Sequence, residues 1–242
     1  NYLIELLAEK LNLNPDKILD FDLFLYENEA GKIIGIDNDF ISARRLDDLA
    51  MVHAGLHALT AAKKTTKTTN ILALFDNEEV GSKTRPGANS PVLRDIMERI
   101  VLTLGNTRKE FLQALDNSFM ISADMAHALH PNYINKHDPT NKPVINKGPV
   151  IKINANKSYI TDSSSSTVYE SICNNADIPV QKFVNRSDQR GGSTIGPISV
   201  TQLGIDSLDI GNPLLAMHSA RELAGVKDHH YITKSFIEYY SL

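Results

Sequence analysis

The chain has 242 residues, 25 Lys and Arg against 29 Asp and Glu, and a net charge of -4 without any basic block, which excludes typical nucleic-acid binding. Its longest apolar stretches, such as residues 71–75, are far below the roughly 20 residues that cross a bilayer, so we expect no membrane partner. The lone Cys173 cannot form an intramolecular disulfide, which favours a reducing compartment and predicts a cytoplasmic protein.

The first 26 residues predict two helices and one strand. Apolar residues at helical spacing in residues 1–13 indicate an amphipathic helix and not the apolar core of a targeting signal. Asn14 and Pro15 are typical of a helix start and predict a short helix through Ile18. A strand is expected at residues 21–26. Because the chain opens with Asn and not Met, we expect its true N-terminus to lie upstream.

From residue 46 onward, short apolar runs alternate with stretches in which apolar residues recur at helical spacing. The apolar runs predict strands at 70–75, 119–123, 150–153, 180–184 and 207–210. The periodic stretches predict helices at 46–62, 163–176, 194–203, 218–223 and 231–240, with a further helix starting at Ser90 and Pro91. Strands alternating with amphipathic helices are typical of a layered α/β sheet covered on both faces.

Several predicted strands end in turns that carry acids or a histidine. These turns are residues 75–79, residues 122–124, and residues 209–211 leading to His218. In open α/β sheets, ligands bind in the crevice outside the carboxyl ends of the strands, so these side chains could meet there around a cation. Carboxylate oxygens mixed with imidazole suit zinc, or manganese and cobalt in the same geometry.

The adjacent acids Glu78 and Glu79 are the most informative pair in these turns. Neighbouring residues on a turn can face different ways, one toward a metal and the other toward the water that the metal activates, where it can act as general base. The spacing leaves an alternative equally open. In that alternative the pair only favours a helix N-terminus through the helix dipole.

Six short segments form a recognisable series. They are Arg45-Leu46-Asp47-Asp48-Leu49, Phe75-Asp76-Asn77-Glu78-Glu79-Val80-Gly81-Ser82, Ser122-Ala123-Asp124-Met125-Ala126-His127, Gly148-Pro149-Val150-Ile151-Lys152, Gly192-Ser193-Thr194-Ile195-Gly196-Pro197 and Met217-His218-Ser219. In this order they resemble the motifs of the aspartyl aminopeptidase and aminopeptidase I family of dinuclear zinc metallopeptidases. The resemblance extends from about Phe21 to the end of the chain.

The resemblance implies a ligand set for two zinc ions, with Mn²⁺ or Co²⁺ as possible substitutes. Asp47 would bridge the two ions, Glu79 and His218 would complete the protein ligands of one, and Asp124 would bind the other. Glu78 would be the general base. Family members also hold the peptide bond after the bridging aspartate in cis.

The resemblance implies an α/β fold: a layered α/β/α zinc-peptidase catalytic domain with a central mixed sheet at residues 41–242, lacking its N-terminal part. Residues 1–40 would be the tail of an inserted β-rich dimerisation domain and the return to the catalytic domain. One departure from the family pattern is important. The family's further zinc-ligating histidine lies in a His-x-Asp-Ser-Pro segment, and this chain has none. A His-x-Asp-Ser-Pro segment upstream of the given sequence would explain why the histidine is missing here. The alternative is a homologue that lacks the second zinc.

The function that the resemblance implies is removal of the N-terminal residue of a peptide, with Asp or Glu favoured and neutral residues possible. Lys152 would contact the acidic side chain of the substrate, whereas an ordinary solvent-facing strand lysine is the alternative. A large homo-oligomer, a dodecamer built from dimers, is also implied. The competing functions are a dinuclear zinc carboxypeptidase or deacylase, and an inactive scaffold subunit.

Six histidines stand outside this series, and four of them form two pairs. His53 and His57 lie four residues apart and so share one helical face, but Ala54 replaces the Glu of a His-Glu-x-x-His zinc motif. We therefore expect a structural or surface role for both. His229 and His230 have no ligand-like sequence context and are expected to be exposed.

Overall fold

The computed structural model describes residues 1–63, 68–189 and 191–242 of the chain. Within these residues the fold is mixed α/β, which confirms the predicted fold class. The helices are α1 (Tyr2–Leu11), α2 (Leu46–Ala61), α3 (Val92–Thr103), α4 (Arg108–Asp116), α5 (Ser163–Asn175), α6 (Ile195–Leu203) and α7 (Val226–Tyr240). The strands are β1 (Lys32–Ile34), β2 (Phe40–Ala43), β3 (Phe119–Ala123), β4 (Ala126–His127), β5 (Val150–Ile153), β6 (Gln181–Val184), β7 (Asp206–Gly211), β8 (Pro213–Leu215) and β9 (Glu222–Gly225).

The strands form two mixed sheets. The first has the order β1-β2-β9-β8-β4, in which only the β4–β8 pair is parallel. The second has the order β3-β7-β5-β6, with parallel β3–β7 and β5–β6 pairs around an antiparallel β5–β7 pair. Because β7 leads directly into β8, the carboxyl ends of β3 and β7 open beside the first sheet. Of the candidate ligands, Asp124 directly follows β3, and His218 lies shortly after β8.

The main core packs helices α2, α5 and α7 against β7 and its neighbours. Ala54 and Ala58 of α2 are fully buried, as are Ile232 of α7 and Tyr169 of α5. Small alanine side chains on one face of α2 let the α7 helix approach closely. This packing makes α2, which begins with the Asp47 segment, a rigid part of the fold.

Most element boundaries follow the sequence prediction. The strands at 119–123 and 150–153 and the helix at 46–62 agree within one residue, and the short helix after Asn14 is a 3-10 turn at Pro15–Lys17. The prediction omitted α4, although its sequence carries a start signal. Thr107 accepts a hydrogen bond from the Glu110 backbone, and the Glu110 side chain accepts one from Thr107, which forms a capping box.

Three predicted elements are wrong. Residues 21–26 and 70–75 form no strand, and residues 218–223 form no helix, because Glu222 already belongs to strand β9. The first two segments have no partner strand among the described residues, and a strand cannot form alone. His218 adopts a left-handed backbone conformation with φ 65°, which is incompatible with a regular helix.

Residues 1–40 contain α1, a 3-10 turn and β1, and β1 pairs with β2 at the edge of the first sheet. Their assignment to an inserted dimerisation domain stays a prediction.

Among the described residues, none of the helices combines the length and the apolar character that a bilayer crossing requires.

Asp228 fixes the start of α7 and gives the fold a testable pH dependence. Its fully buried carboxylate accepts hydrogen bonds from the backbone N–H groups of Asn146, at 2.5 Å, and Gly148, at 2.8 Å. Burial nevertheless raises its pKa from 3.8 to about 6, because the two hydrogen bonds only partly offset the loss of hydration. The folded state therefore favours the protonated carboxyl group.

We expect the stability contributed by this protonation to be present below pH 3.8 and to be lost as the pH rises through about 6. A shift of this size corresponds to about 3 kcal/mol. The free energy of unfolding of the wild type, relative to Asp228→Asn, should therefore fall by up to about 3 kcal/mol between pH 4 and pH 7. Urea denaturation of both proteins at several pH values measures this difference, and a difference that does not change with pH would contradict the prediction.

Candidate metal centre

The segment that opens α2 has an irregular backbone that directs Asp47 inward. Arg45 is left-handed with φ 55°, Asp47 and Asp48 depart from helical dihedral angles, and the peptide bond between them is cis, as the resemblance implies. The Asp47 side chain is only 4% exposed. Left-handed non-glycine residues are unfavourable and cluster at functional sites. The left-handed Arg45 at the start of α2 is therefore typical of a functional site.

Glu222 connects two segments of the centre that are far apart in the sequence. Its side chain is 3% exposed, and its two carboxylate oxygens accept hydrogen bonds from the backbone N–H groups of Asp47, at 2.9 Å, and His218, at 2.8 Å. Asp47 and His218 are 171 positions apart in the sequence. One buried carboxylate thus holds both backbones at a fixed separation. The sequence carries no signal for this role.

Two carboxylates converge on one imidazole nitrogen at the entrance to the centre. The Nε2 atom of His218 lies 3.1 Å from an oxygen of Asp47 and 3.1 Å from an oxygen of Glu79. These three residues offer ligand atoms within 4.8 Å of one another. The turn that presents Glu79 begins after Asn77, which is left-handed with φ 61°, and ends at Gly81 with φ 95°.

A second group of acids adjoins the first. Asp47, Asp48 and Asp124 also offer oxygen atoms within 4.8 Å of one another, so Asp47 belongs to both groups. Asp48 did not appear among the sequence-predicted ligands. Burial and then the charges of Asp124 and Asp47 raise its pKa well above the ordinary value, and its Oδ1 atom has no hydrogen-bond partner among the described residues. In the second group, the surroundings of Asp48 therefore favour the protonated form of its carboxyl group.

Asp124 is held in place by a close approach of β7. It follows β3 directly, its backbone N–H donates to the Ile210 carbonyl, and a Cβ atom on Gly211 would lie 1.7 Å from the Asp124 carbonyl oxygen. Only glycine fits at position 211 without moving this loop. The requirement for glycine follows from the tertiary contact and could not be read from the sequence.

Lys152 is buried and paired with Asp124. Its Nζ atom lies 3.0 Å from an Asp124 oxygen and 5.6 Å from the centre of the Tyr159 ring, and the side chain is 3% exposed. Burial opposes its charge, but the carboxylate of Asp124, with Tyr159 and Asp209, outweighs burial and raises the pKa of Lys152. The alternative of an ordinary solvent-facing lysine is therefore wrong.

Glu78 lies beside the acids without joining either ligand group. Burial first, and then the charges of Asp124 and Glu79, raise the pKa of its carboxyl group above the ordinary value. A carboxyl group with a raised pKa exchanges protons more readily near neutral pH. Its surroundings thus suit proton transfer.

The donor set fits zinc. Three carboxylates and one imidazole, from Asp47, Glu79, Asp124 and His218, are the oxygen and nitrogen ligands that zinc accepts. Burial and the neighbouring acids Asp124, Glu79 and Glu222 raise the pKa of Asp47 far above its ordinary value, so these carboxylates repel one another. Divalent cations would reverse this repulsion.

A deep slot adjoins the acids. It has a volume of about 450 Å³ and lies between residues 70–79 on one side and residues 118–124 on the other, and Asp47 also lines it. β3 is the outer strand of its sheet, and the backbone N–H groups of residues 71–75 donate to no backbone carbonyl of a described residue. The free edge of β3 and the unpaired backbone N–H groups of residues 71–75 therefore line the slot.

Comparison with known proteins identifies the family. The family model described as "Aminopeptidase I zinc metalloprotease (M18)" matches residues 1–240. The chain belongs to the M18 family. A "Probable M18 family aminopeptidase 2" of Clostridium novyi is 58% identical over all 242 residues. The chain covers 56% of that relative, so it spans about half the length of the curated M18 relatives it matches.

Solved M18 structures share the fold. A chain of the cryo-EM structure of the Ape4 and Nbr1 complex is 39% identical, with a TM-score of 0.90 over 99% of this chain and 48% of that one. The S. cerevisiae mApe1 dodecamer is 30% identical, with a TM-score of 0.83 over 99% of this chain and 54% of that one. An M18 aminopeptidase from Thermotoga maritima, 23% identical, has a TM-score of 0.88 over 100% of this chain and 55% of that one.

The structure brings the sequence-predicted site residues together at one place. Asp47, Glu79 and His218 form one group, Asp124 joins Asp47 in the other, and Lys152 contacts Asp124. The ligand roles themselves remain predictions, as does the role of Glu78. Sequence reasoning missed Asp48 as a member of the acid group and Glu222 as the residue that positions two ligands.

Proposed function

We propose that this chain carries most of the active site of a zinc-dependent aminopeptidase, which removes one residue from the N-terminus of a peptide. The observation that carries the proposal is the convergence of Asp47 and Glu79 on His218 Nε2, each at 3.1 Å. Membership of the M18 family, whose model describes a zinc metalloprotease, supports it.

The proposed roles are those that the resemblance implies, and the two ligand groups support them. Asp47, which belongs to both groups, would bridge two zinc ions; Glu79 and His218 would hold one, and Asp124 would hold the other. Bound zinc would polarise water and the substrate carbonyl and would lower the pKa of that water. Glu78 takes the proton from the attacking water and transfers it to the leaving nitrogen as the peptide bond breaks. Glu222 is a positioning residue that holds the backbone of two ligands.

The slot supports a proposal about the rest of the site. An extended segment that paired with β3 or with residues 71–75 would satisfy their free backbone groups. We propose that this segment corresponds to part of the M18 relatives that this chain does not cover. Because Asp47 and Asp124 line the same slot, the segment could also supply the second zinc with its further ligand.

Lys152 is proposed to set the preference for acidic N-terminal residues. Its charge is maintained by Asp124, and a zinc ion bound to Asp124 would weaken that pairing and make the ammonium group available to a substrate carboxylate. Lys152→Ala should therefore lower kcat/KM for Asp and Glu substrates more than for Leu substrates. Steady-state assays of the full-length protein with the three aminoacyl substrates measure the ratio. An equal loss on all three would assign Lys152 to the positioning of Asp124 instead.

The partners proposed for the whole protein are a peptide substrate and further copies of the same chain. The mApe1 relative was solved as a dodecamer, which supports a homo-oligomer. The native metal is proposed to be zinc, with Mn²⁺ or Co²⁺ able to replace it. A cytoplasmic location is part of the proposal and rests on the single buried cysteine.

Digestion of a short peptide by the full-length protein tests the class of reaction. Mass spectrometry should show products shortened by one residue from the N-terminus. Shortening from the C-terminus would indicate a carboxypeptidase, and release of an acyl group would indicate a deacylase. No cleavage by a protein that carries its full zinc content would indicate the inactive scaffold subunit.

A further inference from the structure

Three histidines that the proposed active site does not use meet at the α2–α7 contact. His53 and His57 lie one turn apart on α2 with their ring centroids 6.3 Å apart, and the His229 ring on α7 lies 5.0 Å from His53. The Nδ1 atom of His53 is 3.0 Å from the Nε2 atom of His229. His229 is half-buried in this contact, so the sequence-based expectation that it is exposed is wrong, whereas His230 is exposed as expected.

The two helices hold this pair rigidly. Ala54 and Ala58, the residues directly after His53 and His57, are fully buried against the core. Asp228, the residue directly before His229, is anchored by the two backbone N–H groups of Asn146 and Gly148. The backbone on both sides of the histidine pair is thus fixed by packing and hydrogen bonds, which is the preorganisation that a ligand site requires.

The spacing of the two nitrogens matches a metal ion. Two imidazole nitrogens on one tetrahedral zinc ion lie about 3.3 Å apart, given typical zinc–nitrogen bonds. Neighbouring nitrogens on a square-planar copper or nickel ion lie about 2.8 Å apart. The observed separation of 3.0 Å falls between these values. A small side-chain movement would therefore accommodate either geometry.

The protonation state also suits metal binding. Burial first, and then the charges of His53 and His57, lower the pKa of His229, so its imidazole is neutral at pH 7. A neutral imidazole has one nitrogen lone pair for a metal. The contact between His53 Nδ1 and His229 Nε2 is a hydrogen bond in which one nitrogen donates, so binding a metal to both would move that proton to the other nitrogen of its ring. His57 is exposed, and its ring centroid lies 6.3 Å from that of His53, so it would have to turn its ring to reach the same ion. Two histidines four residues apart on a helix are a known zinc-binding spacing.

We propose that His53 and His229, with His57 as a third ligand, form a surface site for a divalent transition-metal ion such as Zn²⁺, Ni²⁺ or Cu²⁺. The site is separate from the carboxylate centre, because neither ligand group of that centre contains any of these three histidines. The three proposed ligands of this site are all imidazole nitrogens. We therefore expect it to bind nitrogen-preferring transition-metal ions, and not Mg²⁺ or Ca²⁺.

Calorimetric titration of the zinc-loaded, untagged full-length protein with NiCl₂ tests the proposal. The wild type should bind one nickel ion per chain with its zinc content unchanged. His53→Ala and His229→Ala should each lose this binding, and His57→Ala should weaken it. His230→Ala is the matched control, since His230 is exposed next to His229 and should leave nickel binding intact.

Several outcomes would overturn the proposal. They are the absence of nickel binding in the wild type, equal binding in all variants, and release of zinc in proportion to the nickel bound. Anomalous scattering at the nickel edge from soaked crystals provides a check that does not depend on whether a variant folds. Density between His53 Nδ1 and His229 Nε2 is expected, and nickel located only at the carboxylate centre would contradict the site.

Discussion

Glu78→Gln is expected to lower kcat of the full-length protein by about 10²–10⁴-fold while its zinc content remains that of the wild type. The substitution keeps the shape of the side chain but removes the group that accepts a proton from the attacking water. Glu78 belongs to neither ligand group, so loss of its charge should not release metal. Steady-state assays and zinc analysis of the same protein samples measure both effects.

Glu78→Asp is the matched variant for this prediction. It keeps the carboxylate but shortens its reach, so turnover should fall less than in Glu78→Gln. Wild-type turnover in a zinc-loaded Glu78→Gln protein would remove the general-base assignment. Loss of zinc together with activity would instead make Glu78 a ligand.

Glu222→Ala is expected to reduce zinc affinity by about 10- to 100-fold, the range typical for residues that orient metal ligands. The substitution removes the acceptor for the backbone N–H groups of both Asp47 and His218, and leaves them buried without a partner. The two ligands would then no longer be held at a fixed separation. Competition with a chromogenic chelator measures the affinity.

Glu222→Gln distinguishes this positioning role from a general loss of folding. Its single carbonyl oxygen can serve one of the two N–H groups, so zinc affinity should lie between the wild type and Glu222→Ala. Unfolding of both variants measured without zinc separates stability from metal binding. Wild-type zinc affinity in a folded Glu222→Ala protein would contradict the proposed role.

Sequence patterns predicted the parts of the fold that depend on local signals. Strands β3 and β5 are short apolar runs, and α2 is a long stretch of helical periodicity, so each could be delimited within a residue. The segment at 70–75 has an equally apolar sequence but forms no strand. A strand requires a partner, and the partner's presence is a property of the tertiary structure.

The candidate site likewise has residues that the sequence indicated and residues that only the tertiary structure reveals. The acids at strand ends and the resemblance indicated Asp47, Glu79, Asp124 and His218, which the fold brings together. The region before β9 was predicted as a helix, because its apolar spacing does not reveal that His218 is left-handed and hydrogen-bonded to Glu222. Buried acids that bind backbone groups leave no pattern in a sequence. Glu222 could therefore be identified only from the structure.

Zinc-edge anomalous scattering from crystals of the full-length protein tests the central claim most directly. Two zinc peaks per chain are expected, one within bonding distance of Asp47, Glu79 and His218 and the other within bonding distance of Asp47 and Asp124. Zinc bound elsewhere, or a fully zinc-loaded protein in which these four side chains do not contact the metal, would contradict it.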